Sequence, residues 1–283
     1  DVSDSANSIA VIATTANYVA TSATKSVGAG TTTFNAANDI DVNLTSATAA
    51  TVATDGFVIV SDATGTATSI LIGSAGLDTI TGGAGANTIN GLAGDDIING
   101  LAGADIIDGG SGADIIDGGI GNDIISGGVG VDIITVGSGT DAVTLINTEN
   151  DKVIVAGGTA NIAAGGASQV FDVSDSANSI AVIATTANYT ATSATKSVGA
   201  GTTTFNGASG INIDMTSATA TTATTDGFVL TSAGTGGAIL KGSAALDTIT
   251  GSGGDDTITG LAGNDIIGGG AGADIIDGGV GND

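Results

Sequence analysis

The sequence predicts an all-β fold in which right-handed parallel β-roll (β-solenoid) arrays alternate with β-rich, sandwich-like modules. Three observations carry that expectation. Two stretches keep a strict nine-residue period; a much longer period, which carries Asp1 onto Asp172, encloses it; and the composition is rich in small and β-favouring residues, with 49 Gly, no Pro and no Trp. Five Phe and two Tyr cannot furnish a broad aromatic core, so thin layers of Ala, Val and Ile are expected instead.

The first element, residues 1–72, is a β-rich module. Its apolar residues alternate in places, as at Ile40, Val42 and Leu44, which is the pattern of a half-buried strand. Tyr18 and the Phe residues are assigned to its core and to that of its later copy. A single short helix is expected around Ser5–Ile12 and again around Ser176–Ile183.

The second element, residues 73–144, is an array. From Gly73 the chain reads GSAGLDTIT, GGAGANTIN, GLAGDDIIN, GLAGADIID, GGSGADIID, GGIGNDIIS, GGVGVDIIT and VGSGTDAVT. Gly at positions one, two and four of each nonapeptide permits tight turning, because it has no Cβ to clash. The aliphatic eighth position, from Ile80 and Ile89 through Val143, points inward from a very short strand. Two nonapeptides make one coil, so eighth-position side chains stack as a ladder in a narrow core.

The third element, residues 145–241, is an inter-array module with a short strand at Val153–Val155. Its residues 172–241 repeat 1–72: Asp1 to Asn35 recurs as Asp172 to Asn206 with the one change Val19 to Thr190, and Ile211, Ile213 and Met215 replace Ile40, Val42 and Leu44. Its size suits a β-sandwich. The fourth element, residues 242–283, is a second array reading GSAALDTIT, GSGGDDTIT, GLAGNDIIG, GGAGADIID and GGVGND. The given sequence stops at the sixth place of a nonapeptide, so a longer chain is expected; no leader is visible at Asp1.

The sixth position carries the chemistry. It is Asp78, Asn87, Asp96, Asp105, Asp114, Asp123, Asp132 and Asp141 in the first array, then Asp247, Asp256, Asp265, Asp274 and Asp283 in the second. Stacking places each above its equivalent two repeats later, Asp96 above Asp114 for example. Carboxylates a few ångströms apart repel by about 1 kcal/mol or more unless a cation lies between them. Hard oxygen donors suit Ca²⁺, which takes six to eight in flexible geometry; Mg²⁺ is stricter and fits less well. The formal net charge of −25 then reads as ligand: one ion between each pair of stacked turns gives about six and about three ions, leaving a charge near −7. Asn87 weakens its site by one charge. Val136 and Ala245, which replace the first and fourth Gly of their repeats, mark array ends. Asp108, Asp117 and Asp277 at ninth positions, and Asp95 and Asp255 at fifth, read as solvated surface.

These nonapeptides resemble the RTX (repeats-in-toxin) family over Gly73–Thr144 and Gly242–Asp283, with thirteen copies in register. The resemblance implies that Ca²⁺ is held by sixth-position carboxylates and by carbonyls of positions one, three and five. The first-position glycines so implicated are Gly82, Gly91, Gly100, Gly109, Gly118, Gly127, Gly260 and Gly269. It also implies an extracellular or cell-surface location reached by type I secretion, with folding in external calcium.

Composition narrows the function. With no His and no Cys, the commonest general base and thiol chemistry are missing, and no Ser or Thr has an activating partner, so the chain is expected not to be an enzyme. The acidic excess repels nucleic acid, and no apolar run is long enough to insert into a membrane as a helix. The Ala/Thr/Ser/Gly/Asp-rich composition resembles RTX-bearing S-layer or surface-filament proteins. Such proteins are expected to self-associate into a lattice or filament, with cell-surface polysaccharide a further candidate partner. The duplicated module also fits the stalk of an RTX adhesin; it fits less well the folding and secretion tail of an exported enzyme or toxin, which needs an array but no second module.

Overall fold

The computed structural model describes residues 10–14, 16–20, 25–26, 32–36, 40–49, 56–61, 66, 68–145, 150–164, 169–173, 180–185, 188–197, 203–220 and 226–283. Among them there is no helix, and the strand pairings are parallel. The chain winds as a β-solenoid, and its contacts cluster into two compact units, Asp1–Asp141 and Ala142–Asp283.

In the first unit one sheet stacks Ala10–Thr14, Thr32–Ala36, Phe57–Val60, Thr79–Thr81, Ile97–Asn99, Ile115–Asp117 and Ile133–Val136. A second sheet stacks Tyr18–Val19, Val42–Asn43, Ile70–Ile72, Thr88–Asn90, Ile106–Ser111 and Ile124–Val129. Within the array each strand pairs with the equivalent strand two nonapeptides away. Ile98 pairs with Ile80 on one side and Ile116 on the other, and Ile107 with Ile89 and Ile125. Two nonapeptides per coil is therefore the winding. Eighth-position residues from Ile80 to Ile134 are at most 1% exposed, while the seventh-position Ile97, Ile106, Ile115 and Ile124 face outward. That alternation follows from the two-residue period of a strand.

Outside the arrays the same winding continues with longer coils. Thr32 pairs with Phe57, and Val42 with Leu71, so more chain is spent per coil than two nonapeptides supply. In the second unit Ala181 pairs with Thr203 and Thr203 with Phe228. A third stack, Tyr189–Thr190, Ile213–Asp214, Ile239–Lys241, Thr257–Thr259 and Ile275–Asp277, accompanies the Thr159–Ala164 and Lys152–Val155 stacks there. The expected sandwich-like modules are thus corrected to parallel coils. A sandwich brings apolar strands back at short intervals through tight hairpins; here equivalent apolar positions return only after a full coil, so neighbouring strands run the same way.

Aromatic rings fill the wider coils. Phe34 stacks between Tyr18 and Phe57 at centroid separations of 5.0 and 6.0 Å. Phe205 lies 5.7 Å from Phe171, 4.9 Å from Tyr189 and 6.3 Å from Phe228. The Tyr189 hydroxyl donates to the Gln169 carbonyl at 3.0 Å, which satisfies the one polar atom that ring buries. Residues Val42, Leu44, Ile213 and Met215 are fully buried, as their alternation predicted.

Two helix expectations are corrected. Ala10–Thr14 and Ile180–Thr185 are strands; the rest of both expected segments lies outside the described residues. Both carry the β-branched pair of an AVIAT run, which favours an extended backbone.

Candidate metal centre

The turns between the short strands gather the sixth positions into files. In the first array Asp78, Asp96, Asp114 and Asp132 form one file, and Asn87, Asp105, Asp123 and Asp141 the other. Each link is a backbone N–H donating to the Oδ1 one coil later: Asp78 to Asp96 at 2.7 Å, Asp96 to Asp114 at 2.8 Å, Asn87 to Asp105 at 2.7 Å and Asp123 to Asp141 at 2.9 Å. The second array repeats this with Asp247 to Asp265 (2.8 Å), Asp265 to Asp283 (3.0 Å) and Asp256 to Asp274 (3.0 Å). The stacking read from the nine-residue period is what the structure contains. A hydrogen bond to a charged acceptor contributes about 1.5–3 kcal/mol, so every link reinforces the coil register.

These carboxylates are out of water. Asp78, Asp96 and Asp105 are fully buried, and Asp114, Asp123, Asp132 and Asp141 are 1% exposed; Asp256 and Asp265 are buried, Asp274 half-buried and Asp283 exposed. Burial, with neighbouring carboxylates adding to it, pushes Asp96 up to about 8. Burial likewise raises Asp105, Asp114 and Asp141 to about 6, and lifts Asp123 and Asp265 above the usual carboxylate range. An isolated buried charge is costly; a file of them demands a counter-charge.

A cation fits that demand. Oδ2 of Asp96, Asp105, Asp114, Asp123 and Asp265 is buried with no hydrogen-bond partner. Each points at the α-carbon of its own first-position Gly, and for Asp96, Asp105, Asp114 and Asp265 a carbonyl from the next coil joins it there; beside Asp123, at Gly118, the Ile125 side chain takes that place. A Cβ on Gly100 would lie 2.5 Å from the Gly118 carbonyl oxygen and 2.6 Å from Asp105 Oδ2. Gly91 is flanked in the same way by Asp96 Oδ2 and the Gly109 carbonyl, Gly109 by Asp114 and Gly127, and Gly260 by Asp265 and Gly278. First-position Gly is therefore required by a cradle of two oxygens and not by backbone angle. Among the described residues no three acidic side chains converge, so backbone carbonyls must complete any ion's shell. All available donors are hard oxygens, the set Ca²⁺ takes at about 2.3–2.6 Å. It would be held by the sixth-position Oδ2 and the first-position carbonyl of the following coil, and it would supply the neutralisation that burying the file requires.

Of the glycines implicated from the sequence, Gly109, Gly118 and Gly127 present their carbonyls to cradles with a bare Oδ2; Gly91, Gly260 and Gly269 present theirs beside Asp78, Asp247 and Asp256, whose Oδ2 atoms already accept hydrogen bonds, and Gly100 presents its carbonyl beside Asn87. A Cβ on Gly82 would lie 2.6 Å from the Gly100 carbonyl oxygen and 3.1 Å from Asn87 Nδ2. Gly278 completes the Asp265 cradle and was not among the residues singled out; its place one coil after Gly260 was the available signal. Fifth positions were also under-read. Asp95 and Asp255 are exposed, yet their Oδ1 atoms accept the N–H of Ala113 and Ala273 at 2.8 Å, and Asn122 and Asn264 do the same for Thr140 and Asn282. Short polar side chains at a repeated turn position signal such bridging. Val136 does not end the register: Ser138 bridges Ile120, and Asp141 still accepts from Asp123. Val136 instead closes a strand with its side chain in the core.

Stacked, buried Asp turns in a parallel β-roll gather hard oxygens of the kind that suit calcium. The family model of the RTX calcium-binding nonapeptide repeat (4 copies) matches residues 65–98, 72–107, 108–143, 232–267 and 251–283, so both arrays are similar to that repeat. Comparison with curated proteins and with solved structures gives no match.

Proposed function

We propose that this chain is a structural protein of the cell exterior, an S-layer or surface-filament subunit whose rolls fold and rigidify when calcium enters the cradles. The observation that carries the reading is the file of buried Oδ2 atoms without partners, at Asp96, Asp105, Asp114 and Asp123. Such a file opposes folding in low calcium, as inside a cell, and becomes stabilising in millimolar calcium outside it. RTX repeat proteins generally leave the cell by type I secretion, which suits a chain that stays unfolded until it is exported. The outward Ile of the seventh positions, from Ile97 to Ile133, offers apolar surface for contact between copies.

Calcium titration followed by circular dichroism and negative-stain electron microscopy on one sample tests this. Strand signal rising with calcium, together with sheets or fibres that dissolve in chelator, supports an assembly subunit. Isolated rods at every calcium level would assign the chain to an adhesin stalk, as the long duplication allows. No change in strand signal would sink the calcium requirement itself.

A further inference from the structure

The nonapeptides are of two conformational kinds. From Gly91 to Gly130 in the first array, positions two and four take positive φ: Leu92 (79°) and Gly94 (113°), Leu101 (71°) and Gly103 (122°), Gly110 (106°) and Gly112 (134°), Gly119 (93°) and Gly121 (146°), Gly128 (101°) and Gly130 (134°); in the last nonapeptide only Gly139 (145°) does. The second array does so from Gly260, with Leu261 (82°) and Gly263 (148°), then Gly270 (96°) and Gly272 (125°). In the two nonapeptides that open each array neither position has positive φ. Ser74, Gly76, Gly83, Gly85, Ser243, Ala245, Ser252 and Gly254 all keep ordinary angles.

The opening turns also satisfy their own sixth position. Ser74 donates its N–H to Asp78 Oδ2 at 2.6 Å and its hydroxyl to the same atom at 3.0 Å, and its Oγ accepts the Gly76 N–H at 3.2 Å. Ser243 treats Asp247 alike, at 2.6 and 3.1 Å, with Ala245 N–H on its Oγ at 3.1 Å. Ser252 holds Asp256 Oδ2 at 2.6 and 3.2 Å. In the remaining opening turn Asn87 replaces Asp, and its Nδ2 donates to the Gly85 carbonyl at 2.6 Å. In the later turns the second-position N–H faces elsewhere: Leu92 and Leu101 donate to Asn90 and Asn99 Oδ1, at 2.9 and 3.0 Å. There, at Asp96, Asp105, Asp114, Asp123 and Asp265, Oδ2 is left bare. Ala245, at a place that is otherwise Gly, fits an opening turn because no positive φ is asked of it.

We propose that Ser at the second position, and Asn87 in the one opening turn without it, close their turns without metal, so that residues 73–90 and 242–259 form calcium-independent entry turns and cation loading begins at Asp96 and Asp265. This rests on the calcium reading above and specifies where it stops. The N–H and O–H of Ser occupy the lone pairs an ion would need. Freeing them requires the positive φ that a side chain with a Cβ resists. Leu92, Leu101 and Leu261 adopt it where no hydroxyl offers an alternative. The entry turns carry the register of the wide coils into the array: Asp78 Oδ1 accepts the Phe57 N–H at 2.7 Å, Asp247 Oδ1 the Phe228 N–H at 2.8 Å, and Asp256 Oδ1 the Ala238 N–H at 2.7 Å. Each array would then start folding on a turn that is already formed when calcium arrives.

Hydrogen exchange read by mass spectrometry on the whole chain, in chelator and then in calcium, tests this. The amides of 74–78, 243–247 and 252–256 should exchange at least about tenfold more slowly than those of 92–96 and 110–114 in chelator. Calcium should slow only the second group. Equal exchange in chelator, with both groups slowed by calcium, would overturn the entry turns and leave the calcium reading intact; no calcium effect anywhere would overturn that reading. A second arm counts bound Ca²⁺ by equilibrium dialysis. The Asp114→Asn variant should bind less calcium than the parent, whereas S74G/S243G/S252G, which restores glycine freedom, should bind more. An unchanged count in that triple variant contradicts the exclusion by Ser.

Discussion

The arrays and the wide coils are wound the same way and stabilised in opposite ways. In the wide coils the interior is aromatic and aliphatic, and the described ion pairs join opposite charges: Asp172 lies 3.4 Å from Lys152 and 3.5 Å from Lys196, and Asp214 lies 2.9 Å from Lys241. In the arrays the coil shrinks to two nonapeptides, two facing aliphatic ladders make the core, and the turns bury like charges with no Lys in either array. Every Lys of the chain lies outside them. The difference suits a parallel coil wide enough to hold rings, whose closure rests mainly on hydrophobic burial. Narrowed to two strands and two turns, it buries carboxylates that an external cation would neutralise.

That contrast predicts how each region breaks. The largest effect is expected for Phe205→Ala in the second unit, because that ring contacts three others and is fully buried. Losing it should cost about 3–5 kcal/mol. The loss should be the same in calcium and in chelator when unfolding is followed by near-ultraviolet absorption or circular dichroism of Tyr. A cost seen only in calcium would mean that the wide coils are not self-sufficient.

Ile107→Ala makes the complementary test in the first array. The side chain is 1% exposed and sits between Ile89 and Ile125, so about 2–4 kcal/mol is expected. Here the cost should appear only in calcium, as a higher ion concentration at the midpoint of folding. In chelator the array contributes no cooperative transition from which to lose. An equal cost in both conditions would erase the distinction between the two regions.

How legible this was in the sequence follows the same division. The arrays were readable because their period is short and exact repeats tie each residue to one environment: Ile107 inward, Asp105 in the turn, Gly100 against a stacked oxygen. The wide coils were not, because Val42 pairs with the distant Leu71 with no periodic sign of it, and a chain of alternating apolar residues suits antiparallel and parallel winding alike. The difference between turn types was hidden too. Ser74 and Gly110 occupy the same motif position, and only the φ angle and the direction of one N–H separate them.

Acid should partly replace calcium in the arrays. Asp96 is pushed to about 8 and Asp105 and Asp114 to about 6 in the folded state, chiefly by burial, against an ordinary value of 3.8. A carboxyl whose folded value is raised binds its proton more tightly when folded. Its contribution is therefore lost as pH rises through the folded value and fully present below the ordinary one. In chelator, strand signal should rise as pH is lowered from about 8 towards 4, with the gain levelling off below that. In calcium the same acidification should weaken binding, since protons and ions compete for Oδ2. A metal-free signal that falls over this range would contradict the buried files.

The smallest effect is expected at the ion pairs of the wide coils. Lys196→Ala leaves Asp172 with Lys152 still 3.4 Å away, and both lysine side chains are more than a third exposed. Water and salt screen such contacts, so the loss should stay below about 1 kcal/mol and shrink further in high salt. Thermal unfolding of the variant at low and high ionic strength reads it out. Because Asp172 itself is only 10% exposed at its side chain, removing both lysines is a different matter. It strips a nearly buried carboxylate of its lysine charges, the condition of the array turns transplanted into a coil with no cradle. The double variant should lose more than twice what the single one does. If it does not, burying a carboxylate without a neighbouring cation costs this fold little, and the case for cations in the arrays weakens with it.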